Sequence, residues 1–532
     1  NHFNFQMSQS KPKQKDALSV ISLPHEPLIG KPKRKSNRVL VIFWIVIILI
    51  VIIVVTGVII IVVSGGSNDE TNIEITGLFG KWPVYGGNLQ NHQTPFVPSM
   101  ITKDNINDMR MNCSYMSSGS TSFDGYIVVD DENNAYFADY SGTITKVNID
   151  TCQEGFRKNI AELLGYNETT TRIVSRNSVT LYIDYYTKQK SILLATPNKR
   201  RISSAYPATE PCWLLSLDTQ NGTVNWKIDL SQNDSKSTYQ CQAHGFVVDN
   251  EGKYAYGGVS IFGWSTFNPN NQNIQENQFI GKVYKIDLET HSIADIFYSI
   301  PKDKNDDLIN ANEQFGYIGG GVWNFPLIID DYIIFGTGDL TTYPDYIGEC
   351  FKGNLTLNNS YTINPCGIDV SHNKYWSCFE DDIYIDSVVV LNRNTFDIVF
   401  VKRLQGIDAW NLACPEYCEG PDCPPIEPPC PHTFGPDADM QALTVINAFD
   451  ENADDGTYYI LAHQKSGIFY VIELPSGEVL ISKKVGPWSS TGGANSFSLA
   501  VDTTNLISIA TITGGLGPSD RYPYTIGDNS VI

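Results

Sequence analysis

The sequence is short of basic charge. It holds 37 Lys and Arg against 58 Asp and Glu, a formal charge of −21. Eight of the basic groups and only two of the acids fall in residues 1–38, which leaves 29 basic and 56 acidic groups beyond them, a formal −27. A polyphosphate partner is bound by many cations, so nucleic acid is excluded as a partner. Long amphipathic helical stretches are also scarce, which argues against a helical bundle. No cysteine occurs before residue 113, and no C-x-x-C-H haem attachment site occurs anywhere. At 18% charged and 42% hydrophobic residues the chain is globular, and its 532 residues allow one or two domains with a large core. Aromatic residues, at 11%, suit strands rather than helices.

Against these shortages stands one long apolar run. Residues 39–63 are 25 almost wholly apolar positions, more than the roughly 20 needed to cross a bilayer as a helix. A signal peptide has a shorter apolar core and a small-residue cleavage site, so the run is expected to be a transmembrane anchor. The flank before it carries Lys31, Lys33, Arg34, Lys35 and Arg38, and the flank after it opens with Asp69, Glu70 and Glu74. The basic side stays cytoplasmic. The expected plan is a disordered basic cytoplasmic tail (1–38), a membrane helix (39–63), a stalk (64–76) and an extracellular or lumenal domain (77–532). The expected location is that of a single-pass protein of the plasma membrane or secretory pathway. All eleven cysteines and six N-x-S/T acceptor sequons, at Asn112, Asn167, Asn221, Asn233, Asn354 and Asn358, lie on the outer side. Both suit an oxidising compartment, although that side is also most of the chain.

Within 77–532 one pattern recurs five times. A short apolar strand runs into a polar corner and out again, over residues 142–160, 213–230, 281–300, 387–404 and 467–486. Each corner has Asn148, Asp218, Asp287, Asn392 or Glu473, followed three positions on by Thr151, Asn221, Thr290, Thr395 or Ser476. Asp and Asn side chains lock such turns by accepting from nearby backbone N–H groups, and Gly222 and Gly477 supply positive φ in two of them. The corners are 70, 69, 105 and 81 residues apart. Serial repetition of one unit with three or four short strands predicts the blades of an all-β propeller of four-stranded antiparallel sheets, with loops inserted. One insert, 414–432, holds Cys414, Cys418, Cys423, Cys430 and His432. Its spacing is not a paired C-x-x-C array, so disulfides are expected there rather than zinc, with connectivity left open.

Several short motifs fall in a fixed order along these units. They are WPVYGGNLQNH (82–92), ITKDN (101–105), GGGVWNFPLIID (319–330), FGTGD (335–339), DAWNLAC (408–414), GPDAD (435–439), HQKSGIFYVIELPSGEV (463–479) and GGANS (492–496). Together they resemble the quinoprotein alcohol dehydrogenases. The likeness is closer to the polyvinyl-alcohol-dehydrogenase-like branch of the pyrroloquinoline quinone (PQQ) β-propellers, and it covers roughly residues 80–515. The resemblance implies a PQQ cofactor on the propeller axis, a calcium ion, and oxidation of an alcohol or carbohydrate. It implies seven or eight blades, so a chain with five return hairpins that starts at Asn1 is expected to be a truncated record with an incomplete closing blade.

Residue by residue, the resemblance makes Trp323 the aromatic floor of the quinone, Lys465 the cation at its edge and Asn495 an amide ligand. Their competing readings are structural: a Trp packed between blades, a solvated hairpin Lys and a turn-capping Asn. It places Asp339 where the family has an Asn calcium ligand. Asn411 stands where the family has its catalytic Asp, with Asp408 three positions earlier as a substitute, and Asn411 could still ligate metal. The family's Glu ligand is expected just after Ser260, where the chain reads Ile261, Phe262 and Gly263. The adjacent-cysteine pair of the bacterial alcohol enzymes is absent. Two functions follow: a membrane-anchored quinoprotein-like oxidoreductase, or a non-catalytic propeller ectodomain that recognises a glycan or protein with an eroded PQQ and calcium site.

Overall fold

A computed structural model describes residues 77–93, 104–116, 126–139, 141–167, 171–172, 179–196, 200–201, 212–230, 242–260, 280–301, 317–342, 379–404, 439–447, 457–465, 468–484, 500–502 and 507–509. The chain divides into two compact units, Asn1–Glu74 and Ile75–Ile532, and every described residue belongs to the second. The apolar run 39–63, the tail and the 414–432 insert lie outside the described residues. Among the described residues no helix is long and apolar enough to cross a membrane.

Strands dominate, as the alternating, aromatic-rich sequence predicts. The N-terminal segment begins with β1 (Gly77–Leu78). The first sheet is β2 (Val128–Val129), β3 (Asn134–Ala138), β4 (Thr143–Asn148) and β5 (Gln153–Asn159), in that order. One α-helix, Ile160–Leu164, follows; Asn159 caps its first N–H groups and Gly165, in the left-handed region, ends it. A two-stranded ribbon pairs β6 (Thr171–Arg172) with β9 (Arg200–Arg201). The second sheet is β7 (Val179–Ile183), β8 (Lys190–Ala195), β10 (Trp213–Asp218) and β11 (Val224–Asp229), with β1 added beside β7. The third is β12 (Gln242–Val248), β13 (Tyr254–Ser260), β14 (Lys282–Asp287) and β15 (Ser292–Tyr298). A short pair, β16 (Ile318–Gly319) and β19 (Leu340–Thr342), flanks the fourth sheet of β17 (Leu327–Ile329), β18 (Tyr332–Gly336), β20 (Ser387–Asn392) and β21 (Ile398–Arg403). The fifth is β22 (Met440–Asn447), β23 (Tyr458–Gln464), β24 (Ile468–Leu474) and β25 (Val479–Lys484), and β26 (Ala500–Asp502) pairs with β27 (Ile507–Ile509) as a sixth. All pairings within these sheets are antiparallel, as expected of meandering blades.

Each sheet packs face to face on the next in chain order. Tyr136 and Ile144 of the first meet Leu181 and Leu215 of the second. Leu214 and Ile228 of the second meet Phe246 and Tyr284 of the third. Val247 and Phe297 of the third meet Ile333 and Val389 of the fourth. Ile334 and Val388 of the fourth meet Leu443 and Ile460 of the fifth, and Leu461 and Val471 of the fifth meet Val501 of the sixth. The fourth strand of each four-stranded meander is the outer one: β5, β11, β15 and β21 each have at most one buried residue, whereas the third strands beside them are largely buried.

Four of the five corners are locked as the sequence predicts. Asn148 Oδ1 accepts from the N–H of Asp150 and Thr151 at 3.2 and 3.0 Å. Asp218, Asp287 and Asn392 accept in the same way from the residues two and three positions on, at 2.8–3.0 Å. Glu473, one methylene longer, instead accepts from Ser476 Oγ at 2.5 Å. A bulge follows every corner, where Gly155, Asn225, Ala294, Val399 or Leu480 of the fourth strand is left without a partner on the third. Two third-strand lysines beside these bulges staple one sheet to the next. Lys146 Nζ donates to the Thr219 carbonyl at 3.0 Å, and Lys285 Nζ donates to the carbonyls of Arg393 and Asn394 at 2.9 and 3.1 Å.

The segment 77–93 holds the sheets together from inside. Trp82 bridges to Val129 of β2, and Leu181 N–H of β7 donates to Pro83. Val84 packs with Val247 of β12. Ile328 of β17 donates to Leu89, Val445 of β22 to Gln90 and Val501 of β26 to His92. One strap therefore touches the first strand of all six sheets, which makes the first strands the inner ones. Gly86 is required in it: a Cβ there would meet Asn91 Oδ1 at 1.9 Å, and its φ is +73°.

Candidate functional site

Strand direction separates two ends. First and third strands run the same way in an antiparallel meander, so the corners after the third strands lie at one end. The starts of the first strands and the ends of the second lie at the other. The candidate residues gather at this second end. Trp323 precedes β17, Asp339 follows β18, Asp439 directly precedes β22 and Lys465 directly follows β23.

Register brings the last two together. Met440 pairs with Gln464, so Asp439 and Lys465 face each other across the open end of that hairpin. Lys465 N–H donates to the Asp439 carbonyl at 3.2 Å. Its ammonium lies 2.5 Å from Asp439 Oδ2, with only 10% and 3% of the two side chains exposed. The other carboxylate oxygen, Oδ1, accepts from the Asp339 N–H at 3.0 Å. Asp339 is itself buried. An ion pair this buried needs its remaining oxygen satisfied, and the Asp339 amide does this.

Glycines allow the indole to approach this pair. Gly338 N–H donates to the Gly321 carbonyl and Gly320 N–H to the Asp339 carbonyl, each at 2.7 Å, which draws the runs 319–321 and 336–339 against one another. A Cβ on Gly338 would lie 2.3 Å from Asp439 Oδ1 and 2.9 Å from Trp323 Nε1. One on Gly321 would lie 2.8 Å from Ser260 Cβ and 3.2 Å from Trp323 Nε1. Trp323 is half-buried rather than sealed in the core.

The structure thus brings together Trp323, Asp339 and Lys465, which the sequence singles out, and joins them through Asp439, to which the sequence reading gave no role. Asp439 closes the 435–439 motif, and the signal for it was the hairpin register that sets it opposite Lys465. Asn411, Asp408 and Asn495, and the expected position of a Glu ligand at 261–263, lie outside the described residues. Lys465 is not a solvated hairpin lysine, since it is buried against a carboxylate.

These residues fit a flat, anionic quinone. A half-buried indole could meet its face and a buried ammonium, now paired with Asp439, its edge. For a calcium ion they supply two neighbouring acidic side chains, Asp339 and Asp439. Among the described residues no group of three or more His, Cys, Asp or Glu could hold a metal ion.

No family model matches the sequence, and no curated protein matches it. Solved structures do match. The quinohemoprotein alcohol dehydrogenase from Comamonas testosteroni superposes with a TM-score of 0.53 at 14% identity, over 82% of this chain and 58% of that one. The quinohemoprotein alcohol dehydrogenase ADHIIG from Pseudomonas putida HK5 gives 0.49 at 16% identity, over 81% and 51%. A europium-containing methanol dehydrogenase gives 0.49 at 13%, over 81% and 68%. The likeness to the Comamonas testosteroni structure shows a β-propeller fold, and this chain spans little more than half the length of the two quinohemoproteins.

Proposed function

We propose that the chain is a membrane-anchored quinoprotein-like oxidoreductase that acts on external alcohols or sugars with PQQ, of the polyvinyl-alcohol-dehydrogenase-like branch. The observation that supports it most is the meeting of Trp323, Asp339 and Lys465 on Asp439 at one end of the propeller. Trp323 would lie against the quinone ring, because a flat π-system needs apolar contact on its face. Lys465 would hold an anionic oxygen at its edge, and Asp339 would contribute an oxygen to calcium. When bound, the quinone would supply a hydride acceptor. The chain's own work is proton removal and positioning. Asp439 would be a carboxylate able to take the substrate hydroxyl proton, in addition to Asn411 and its substitute Asp408, which lie outside the described residues. A carboxylate can accept a proton, whereas a neutral amide cannot at physiological pH. The Asp339 N–H fixes Oδ1, and Oδ2 would take the proton once the Lys465 ammonium turns to the quinone.

One observation favours the second reading, a non-catalytic propeller that recognises a glycan or protein. Asp439 Oδ2 already holds the Lys465 ammonium at 2.5 Å, and a base must release that contact to work. The test is to add PQQ and calcium to the purified full chain and follow Trp fluorescence together with dye reduction by primary alcohols. Quenching with alcohol-dependent reduction supports the enzyme. Quenching without reduction supports the recognition module, and no quenching at micromolar PQQ defeats the quinoprotein reading. Membrane anchoring through 39–63, with an outer location for the propeller, belongs to the same proposal, and protease protection of the propeller in sealed vesicles tests it.

A further inference from the structure

The three described sequons sit in different surroundings. Asn112 turns its amide onto the first sheet, with Nδ2 donating to the Ile149 carbonyl at 2.9 Å, and the middle residue of its sequon, Cys113, is tied to Cys152. Asn167 is exposed and directly precedes residues outside the described set. Asn221 is at the corner between β10 and β11, exposed to solvent. Its backbone N–H is held by Asp218 Oδ1 at 3.0 Å, and its own Oδ1 accepts from the Thr223 N–H at 2.9 Å. The carboxamide is therefore anchored through its oxygen, and Nδ2 donates to no described residue. Gly222 has φ +72°, and a Cβ there would come within 2.8 Å of Phe156. The corner is thus pressed against the outer strand of the first sheet, and Asn221 stands at the seam on a fixed backbone.

We propose that Asn221 carries an N-linked oligosaccharide. A glycan is bulky and must stay in water once the chain folds, so it needs a surface amide nitrogen that folding leaves free. Asn221 offers one inside an N-G-T acceptor triplet. In the transfer, Nδ2 bonds to the sugar C1 of a lipid-diphosphate-linked oligosaccharide. The C1–O bond to the diphosphate breaks, the lipid diphosphate leaves and the amide loses one proton, with no change of oxidation state. The corner end is opposite the end that holds Asp439 and Lys465, so the glycan would shield the seam between the first two sheets without covering the candidate site. The inference rests on the outer placement of the propeller.

The test uses the full chain made in a eukaryotic secretory pathway. Enzymatic removal of glycans in heavy-oxygen water leaves a labelled aspartate at each former glycan, read by peptide mass spectrometry. We expect the label at position 221, its loss in Thr223→Val and its retention in Thr223→Ser. Both variants keep the backbone N–H that Asn221 accepts from, so the corner stays capped. An unlabelled Asn221 beside any other labelled sequon overturns this inference alone. A chain with no label anywhere overturns it together with the outer placement.

Discussion

Acidification should loosen the central strap at His92, and the hydrogen bonds there fix the sign. Asn88 Oδ1 accepts from the N–H of Gln90 and of His92, both at 3.1 Å, which sets the orientation of its amide. Asn88 Nδ2 must then face His92 Nδ1, 3.1 Å away, so Nδ1 is an acceptor. The opposite nitrogen, Nε2, donates to the Val445 carbonyl at 2.7 Å. The ring is thus bonded as a neutral imidazole, and burial lowers its pKa from the ordinary 6.5, against a smaller opposing effect of the Val445 carbonyl. No charged group contributes to the shift. Because the folded pKa is depressed, the unfolded chain binds the proton first. Stability is full above about pH 6.5 and falls with pH until the folded pKa is reached, by at most about 1.4 kcal/mol per pH unit for this single group. Protonation sets the Nδ1 proton against the Asn88 amide protons, so a total loss of about 1–2 kcal/mol is expected for one bond broken and one donor stranded. Urea unfolding at pH 7.5, 6.5 and 5.5, for the wild type and His92→Gln, isolates the term from the other titrating groups. The wild-type advantage should shrink on acidification. An advantage that is independent of pH, or that grows as pH falls, would refute the assigned tautomer.

Other outcomes follow from single contacts. Lys285→Met removes the ammonium from two carbonyls of the next sheet and from the rings of Tyr254 and Phe396; a loss of about 1–3 kcal/mol in urea unfolding is expected, and an unchanged midpoint would show that the staple is idle. Cys152→Ser opens a disulfide-closed loop of 39 residues' separation, for which loop entropy predicts a loss of up to about 4 kcal/mol; equal stability with and without reductant would contradict it. Gly338→Ala puts a Cβ 2.3 Å from Asp439 Oδ1. It should lower stability by about 1–3 kcal/mol through overpacking and, by displacing Asp439 and Trp323, abolish quinone-dependent Trp quenching, whereas retained quenching would show that this packing does not shape the quinone site.

What could be read in the sequence was what local chemistry determines. The corners at Asn148, Asp218, Asp287 and Asn392 were legible because each side chain bonds backbone two and three residues away. The strands beside them were legible because burial alternates along them or fills them. Asp439 was missed because its role depends on Lys465, 26 residues on, and the two meet only through the register of β22 and β23. The 82–92 motif marked the family likeness, but its work as a strap depends on partners such as Val445, 353 positions from His92. The Cys113–Cys152 pairing was likewise out of reach, since cysteine spacing does not encode connectivity.

The central claim is that Asp439 is the base of a quinone site built with Trp323, Asp339 and Lys465. The most direct measurement is alcohol-dependent dye reduction by the PQQ- and calcium-loaded full chain, compared with Asp439→Asn under matched quinone occupancy by Trp quenching. The account predicts equal quenching and a turnover lower by about 10²–10⁴-fold in the variant. Undiminished turnover in Asp439→Asn would contradict it.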